Sequence, residues 1–195
     1  MIDKRIRTIW KDINRRCKSD GDRSKKWPTY KSSTCDFEDL ADFADWANVQ
    51  PGFHMRDGDG NSYQLDKDII IAGNKAYSRE ACCFVPARIN TILTSCIGAR
   101  GAWPVGVSWN IRDRKFASKI RINGVRRYLG YFDDPLQAHA AWQDAKAQEI
   151  RNAVASYESS PGVDARVVDA LLKRAEGIDS DRAQGLETME PQPCA

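Results

Sequence analysis

"KFASKIRINGVRRYLGYFDD", Lys115 to Asp134, is the stretch whose reading decides the fold. Apolar and polar residues alternate through it, the period of a half-buried strand. Asn123-Gly124 interrupts it midway, and both residues tolerate the positive φ that a two-residue hairpin turn demands. Strands are therefore expected at 114–122 and 125–132, with another at 105–112 joined by the short turn "RDR". Strand side chains alternate between faces. Phe116, Ser118, Ile120 and Ile122 then share one side of the middle strand, and Lys115, Ala117, Lys119 and Arg121 the other. Val107, Trp109 and Ile111 oppose Ser108, Asn110 and Arg112, and Arg126 and Tyr128 oppose Arg127 and Leu129. One face should thus display Ser108, Asn110, Arg112, Lys115, Lys119, Arg121, Arg126 and Tyr128.

The aspartates that end the basic run suit a helix start, with Pro135 in the first turn. The helix "PLQAHAAWQDAKAQEIRNAVASY" places Ala138, Ala141, Trp142 and Ala145 on one face, small enough to approach the apolar side of the sheet. Upstream, Arg5 to Arg16 read as a helix with Ile6, Ile9/Trp10 and Ile13 on one face. "CKSDGDRSKKWPTY" has loop composition. "DFEDLADFADWANVQPG" reads as a second helix, with Asp36 as N-cap and Phe37, Leu40, Phe43, Ala44 and Ala47 at helical spacing. Gln64–Ile71 is expected as a strand, Gly73-Asn74 as a turn, and a helix from Pro86 to about Thr94. The fold class is α+β. An N-terminal α/β module covers 4–97, and a three-stranded antiparallel sheet packed on one helix covers 102–157. A short helix at 163–176 and a disordered tail at 177–195 follow.

The net charge of +3 hides segregation. Residues 1–31 hold eleven Lys/Arg against four Asp, and 32–65 hold one basic residue against seven acids. Residues 99–128 hold eight basic against one acid, and 129–195 six against twelve. Charge runs are commonly solvated faces, and edge lysines commonly guard a sheet against aggregation. Two basic blocks, one of them on a single sheet face with an exposed tyrosine, point instead to a phosphate backbone. Lys and Arg would hold phosphates, and Arg, Asn110 and Ser108 could read base edges in the major groove. Arg15, Arg16, Lys25 and Lys26 of the N-terminal block are candidates for further backbone contacts. No apolar run approaches the roughly 18 residues of a membrane span, and "MIDKRIRTIWKDINRRC" lacks the apolar core of a signal peptide. The expected location is the cytoplasm, that of a bacterial host if the chain is phage-encoded. The six cysteines, Cys17, Cys35, Cys82, Cys83, Cys96 and Cys194, are then expected as reduced thiols.

"GVSW…KFASKIRINGVRRYLGYFDD…AHAAWQDAKA" resembles the APETALA/ethylene-response-factor DNA-binding domain, in the form carried by phage and bacterial proteins. The matching residues are Gly106-Val107, Lys115-Phe116-Ala117, Ile120-Arg121, Gly124, Tyr128-Leu129-Gly130, Phe132-Asp133, Ala138 and Ala141-Trp142. The resemblance implies a sheet lying in the major groove of double-stranded DNA, with contacts from Ser108, Asn110, Arg112, Lys119, Arg121, Arg126 and Tyr128. Strand parity selects the same set. Lys119 departs from the plant proteins, where that position is often acidic, so no base preference carries over.

"YQLDKDIIIAGNKAYSREACCFVPARIN" resembles the second half of an HNH (ββα-metal) nuclease of the phage homing type, and "IWKDINRRC", Cys35 and "FADWANVQPG" resemble its first half. Such a nuclease needs a general base, usually His, and a divalent metal on Asp and His or Asn. Here Lys67 stands in place of the base histidine and Ala81 in place of the Asn/His ligand. Asp66, Asp68, Asn74 and Glu80 remain as oxygen ligands, with Asp66 and Asp68 at i and i+2 on one strand face, a spacing suited to Mg²⁺ or another divalent cation. The bland alternative is an Asp-Lys-Asp trio solvating a strand end. His54 or Lys67 would serve proton transfer or phosphate contact, and His139 reads as a surface or packing residue. Cys17, Cys35 and Cys82-Cys83 match no paired Cys-x-x-Cys set, which argues against zinc. The implied protein is a degenerate HNH-like module fused to a DNA-docking sheet, with metal-dependent nicking weak or absent. A non-catalytic DNA-binding regulator, and an inhibitor of a host enzyme acting through the acidic segments, stay open as alternatives.

Overall fold

The structure is a computed structural model and describes residues 2–18, 32–93 and 102–189. Lys25, Lys26, the loop around them, the linker near 95–101, Cys96 and Cys194 lie outside the described residues. The chain divides into two units. The first holds Met1–Asn90 and Ser160–Val167, and the second Thr91–Ser159 and Val168–Glu190.

In the first unit, α1 (Lys4–Cys17) is capped by the Asp3 carboxylate, which accepts from the Arg5 N–H, and it buries Ile6 and Ile13. The second helix, α2 (Leu40–Asn48), begins later than the acidic pattern suggests. Asp39, not Asp36, is its N-cap and accepts from the N–H groups of Ala41 and Asp42 at 2.8 and 2.9 Å. Phe37 lies outside the helix, edge-on to Phe43 at 5.2 Å and tilted against Trp46 at 5.1 Å. Trp46 continues the aromatic chain to Phe84, and Phe84 to Phe53. Such ring pairs add about 1 kcal/mol each beyond the area they bury.

Strand β1 (Thr34–Cys35) pairs in parallel with β3 (Ala76–Tyr77), and β2 (Gln64–Asp66) pairs antiparallel with β4 (Cys83–Val85). A short helix, α3 (Ala87–Ile92), follows. The strand expected at 64–71 stops at Asp66. The Asp66 carboxylate accepts from the N–H groups of Asp68 and Ile69, both at 2.8 Å, and this local turn removes those donors from any ladder. Residues 160–167 complete the unit. The Tyr63 hydroxyl donates to the Pro161 carbonyl, and the Arg166 guanidinium reaches the carbonyls of Glu80 and Cys82 while paired with buried Asp164.

In the second unit β5 (Val107–Asn110), β6 (Lys115–Ile122) and β7 (Val125–Phe132) form an antiparallel sheet in that order, packed on α4 (Pro135–Glu158). The α+β class and the three-stranded sheet on one helix are as expected from the sequence. Asn123 and Gly124 both have positive φ, as the hairpin reading requires. Strand β5 is shorter than 105–112 because the Asn110 side chain closes the turn that follows. Its amide oxygen accepts from the Arg112 N–H at 3.0 Å, and its amide nitrogen donates to Asp113 at 2.7 Å. Pro135 opens α4 behind N-cap Asp134, which accepts from the N–H groups of Leu136 and Gln137. Gly106 carries φ +80°, and a Cβ there would sit 2.1 Å from the Trp142 ring, so only glycine allows this approach.

The helix expected at 163–176 runs Ala165–Ala183 as α5, burying Val167, Leu171, Ala175 and Ile178. Residues 177–183, expected as tail, are therefore helical. Beyond them the Gln143 amide donates to the Leu186 carbonyl and the Thr188 hydroxyl. His139 is 1% exposed, not a surface residue; one ring nitrogen meets the Val105 carbonyl and the other accepts from the Thr188 N–H. No described helix is long and apolar enough to cross a membrane.

Candidate nucleic-acid interface

Residues directly opposite in an antiparallel ladder share a face. Across β5 and β6 the register pairs Ser108 with Ala117 and Asn110 with Lys115. Across β6 and β7 it pairs Ala117 with Tyr131, Lys119 with Tyr128 and Arg121 with Arg126. The side turned from α4 therefore carries Ser108, Asn110, Lys115, Lys119, Arg121, Arg126 and Tyr128 together. Phe116, Ser118 and Ile120 are buried on the helix side. Tyr131 also belongs to the outward face. The ladder steps from Ser118↔Gly130 to Lys119↔Tyr128, so Leu129 is an extra residue in β7 and side-chain parity switches there. Simple alternation assigns Tyr131 to the wrong side, and no local signal in "YLGYF" marks the bulge.

The cations of this face differ in their engagement. Lys115 pairs with exposed Asp133 at 3.1 Å, a contact worth little in water. Lys119 donates to the Ser108 hydroxyl at 2.8 Å, and its ammonium lies 5.3 Å from the centre of the Tyr128 ring. Arg121 and Arg126 are exposed cross-strand partners, and neither side chain forms an ion pair among the described residues. Like charges directly opposite cost stability, so this pair is a net electrostatic burden until an anion meets it. Arg112 stands in the turn after β5, exposed, not on a strand. Asn110 is on the expected face, but its amide is engaged by the turn and is not free to read a base.

In the first unit Lys67 and Asn74, expected by resemblance in the metal and base set, are engaged by their own loop. Lys67 is buried, and its ammonium donates to the Asp68 carboxylate at 3.1 Å and the Asn74 carbonyl at 3.0 Å. The Asn74 amide nitrogen donates to the carbonyls of Lys67 and Ala76, and its oxygen accepts from the Ala76 N–H. Asn74 is a pin for the 67–76 loop. Asp66 and Asp68 do not share a strand face, because the strand has ended between them. Burial, and then the Asp68 charge, push the Asp66 carboxyl up to about 6, against two backbone donors that favour the ionised form. His54 is exposed in a turn, its ring edge-on to Phe53 at 4.7 Å, and it makes no hydrogen bond to Asp66 or Lys67. The Asp66 and Asp68 carboxyls still interact directly, and no group of three or more His, Cys, Asp or Glu side chains gathers among the described residues. We expect Asn74→Ala to lower stability by about 2–4 kcal/mol, the worth of several hydrogen bonds in one half-buried loop; the urea midpoint of unfolding measures it.

Of the N-terminal cations, Arg15 pairs with Asp12, and Arg16 turns inward to the Tyr77 hydroxyl at 3.1 Å. Arg5, absent from the sequence reading as a site, is a structural clamp. Its guanidinium donates to the carbonyls of Phe53 and Tyr63 and stacks over the Phe53 ring at 4.5 Å, and burial lowers its pKa. A cleft of about 410 Å³ beside α1 is lined by Arg5, Asp12, Arg16, Gln64 and Asn90, all engaged with protein groups. The described cysteines are free thiols. Burial raises Cys17 to about 11 and Cys82 to about 12, which keeps them protonated. No protein-family model matches the chain, and no curated protein and no solved structure matches it either.

Proposed function

We propose that this chain binds double-stranded DNA through the outward face of the β5–β6–β7 sheet. The observation that carries the reading is the exposed Arg121–Arg126 cross-strand pair, unpartnered by any carboxylate among the described residues and flanked by Lys115, Lys119 and Tyr128. A phosphate held by each guanidinium converts their repulsion into two charge-assisted contacts. A small sheet is of a size to enter the major groove. The sequence resemblance of this unit to the APETALA/ethylene-response-factor domain leads to the same surface. The first unit, resembling HNH nucleases, serves this reading as a folded partner module in which metal-dependent nicking is weak or absent, a reading supported by the engagement of Lys67 and Asn74 with their own loop.

The test is duplex binding by fluorescence anisotropy over a salt series, beside incubation of supercoiled plasmid with Mg²⁺ or Mn²⁺. Affinity is expected to fall steeply with salt, with a log–log slope of about −3 to −5 for a face that neutralises about four to five phosphates. The supercoiled plasmid is expected to persist. Salt-insensitive or undetectable duplex binding would refute the docking reading; nicked product would refute the non-cleaving one.

A further inference from the structure

We propose that Tyr131 is a specificity-determining residue of the docking face, its ring seated against the methyl group of thymine. The inference rests on the reading of this face as a duplex-binding surface. Three observations lead to it. The bulge at Leu129 brings Tyr131 onto the same side as Arg126 and Tyr128. There it is 48% exposed, and its ring and hydroxyl make no stacking contact or hydrogen bond among the described residues. Its cross-strand partner is Ala117, the one residue of the β6 outward row that carries no charge.

The face is therefore not uniform. Lys115, already paired with Asp133, lies to one side of the Ala117–Tyr131 row. Lys119, Arg121 and Arg126 lie to the other. The centre is neutral: exposed Tyr131 stands beside buried Ala117 and beside Ser108, whose hydroxyl is engaged by Lys119. Phosphates call for cations, and a neutral aromatic adds nothing to their binding. The floor of the major groove presents one apolar feature, the thymine methyl, and apolar side chains read it. A ring held by a strand, with few rotatable bonds, meets that methyl at small entropic cost.

The full chain would be used to select duplexes from a random-sequence pool. Binding by anisotropy is then measured on the selected duplex, on versions with each thymine changed in turn to uracil, and on the unselected pool. For the wild type, uracil at one position is expected to weaken binding about fourfold, the worth of one buried methyl. Tyr131→Ala is expected to respond to that change less than twofold, while Tyr131→Phe keeps the fourfold response. Affinity for the unselected pool is expected to stay within about twofold in both variants, since phosphate contacts are untouched. Tyr131→Ser serves as a second truncation should the alanine variant lack a thermal transition. Equal responses in wild type and truncated variants, or no thymine whose methyl matters, overturn the role of Tyr131 and leave the docking surface standing if Arg121→Ala/Arg126→Ala still weakens duplex binding. Absence of duplex binding by the wild type, or tighter binding of single strands, overturns both.

Discussion

Arg121→Ala/Arg126→Ala is expected to bind duplex DNA about a hundredfold more weakly than the parent chain at near-physiological salt. Each guanidinium–phosphate bond is worth roughly 1.5 kcal/mol or more, and two of them account for that factor. The log–log salt slope is expected to shrink by about two, one unit for each phosphate that the variant no longer neutralises. The same double variant should be no less stable than the parent, and more stable by a few tenths of a kcal/mol. Arg121 and Arg126 face each other across β6 and β7 with no carboxylate between them among the described residues, so their removal relieves a like-charge pair. Binding and stability thus move in opposite directions, which separates the possible roles. A surface charge pair kept only for solubility gives unchanged binding. A structural pair gives lower stability. A docking pair gives weaker, less salt-sensitive binding with equal or greater stability, measured by anisotropy and urea unfolding on the same preparations.

Most of this sheet is legible in the sequence. Period-two alternation, an Asn-Gly turn and a capped proline at the start of α4 are local signals, and each agrees with the others. What escapes are interactions that cross strands or compete with them. Asn110 reads as an outward polar residue, but its side chain satisfies the backbone of its own turn and ends β5 early. Tyr131 reads as inward until the extra residue at Leu129 is known. A bulge is a property of the pairing, and one strand's sequence carries little trace of it.

The first unit is less legible, for a different reason. Its strands are two or three residues long, too short for periodicity to speak. The loop between β2 and β3 is set by side chains turning inward. Lys67 illustrates this. A lysine between two aspartates in an apparent strand reads as exposed, yet it is 7% exposed and bonded to Asp68 and the Asn74 carbonyl. Residue type alone does not show that Asn74 and Lys67 hold their own loop through hydrogen bonds. The helix α5 outruns its sequence-based end because Gly177 lowers its apparent propensity, whereas burial of Val167, Leu171, Ala175 and Ile178 carries it past that point.

Asp66→Asn is expected to remove the fall in stability that Asp66 gives the first unit as pH rises. The Asp66 carboxyl titrates near 3.8 when free and is pushed up to about 6 in the folded unit, first by burial and then by Asp68. Between those two values the folded state holds more protons than the unfolded chain. Stability must therefore fall as pH rises through that window and level off above it. The stabilising protonated form is fully present only below the lower value. Each pKa unit of displacement is worth about 1.4 kcal/mol, so the wild type should lose on the order of 2 kcal/mol from its first unit between pH 4 and pH 7.5. Asparagine is neutral throughout. Its oxygen can accept the same N–H groups of Asp68 and Ile69, and its amide can donate to the Asp68 carboxylate. The variant should match the wild type at pH 4 and exceed it at pH 7.5, by urea midpoints at the two values. The alternative outcome has equal content. If Asp66→Asn is the less stable protein at pH 7.5, the charge on Asp66 is compensated by a cation that the neighbouring side chains do not supply. Added Mg²⁺ would then raise the midpoint of the wild type and leave that of the variant unmoved, and the reading of the first unit as a module without a metal centre would fall.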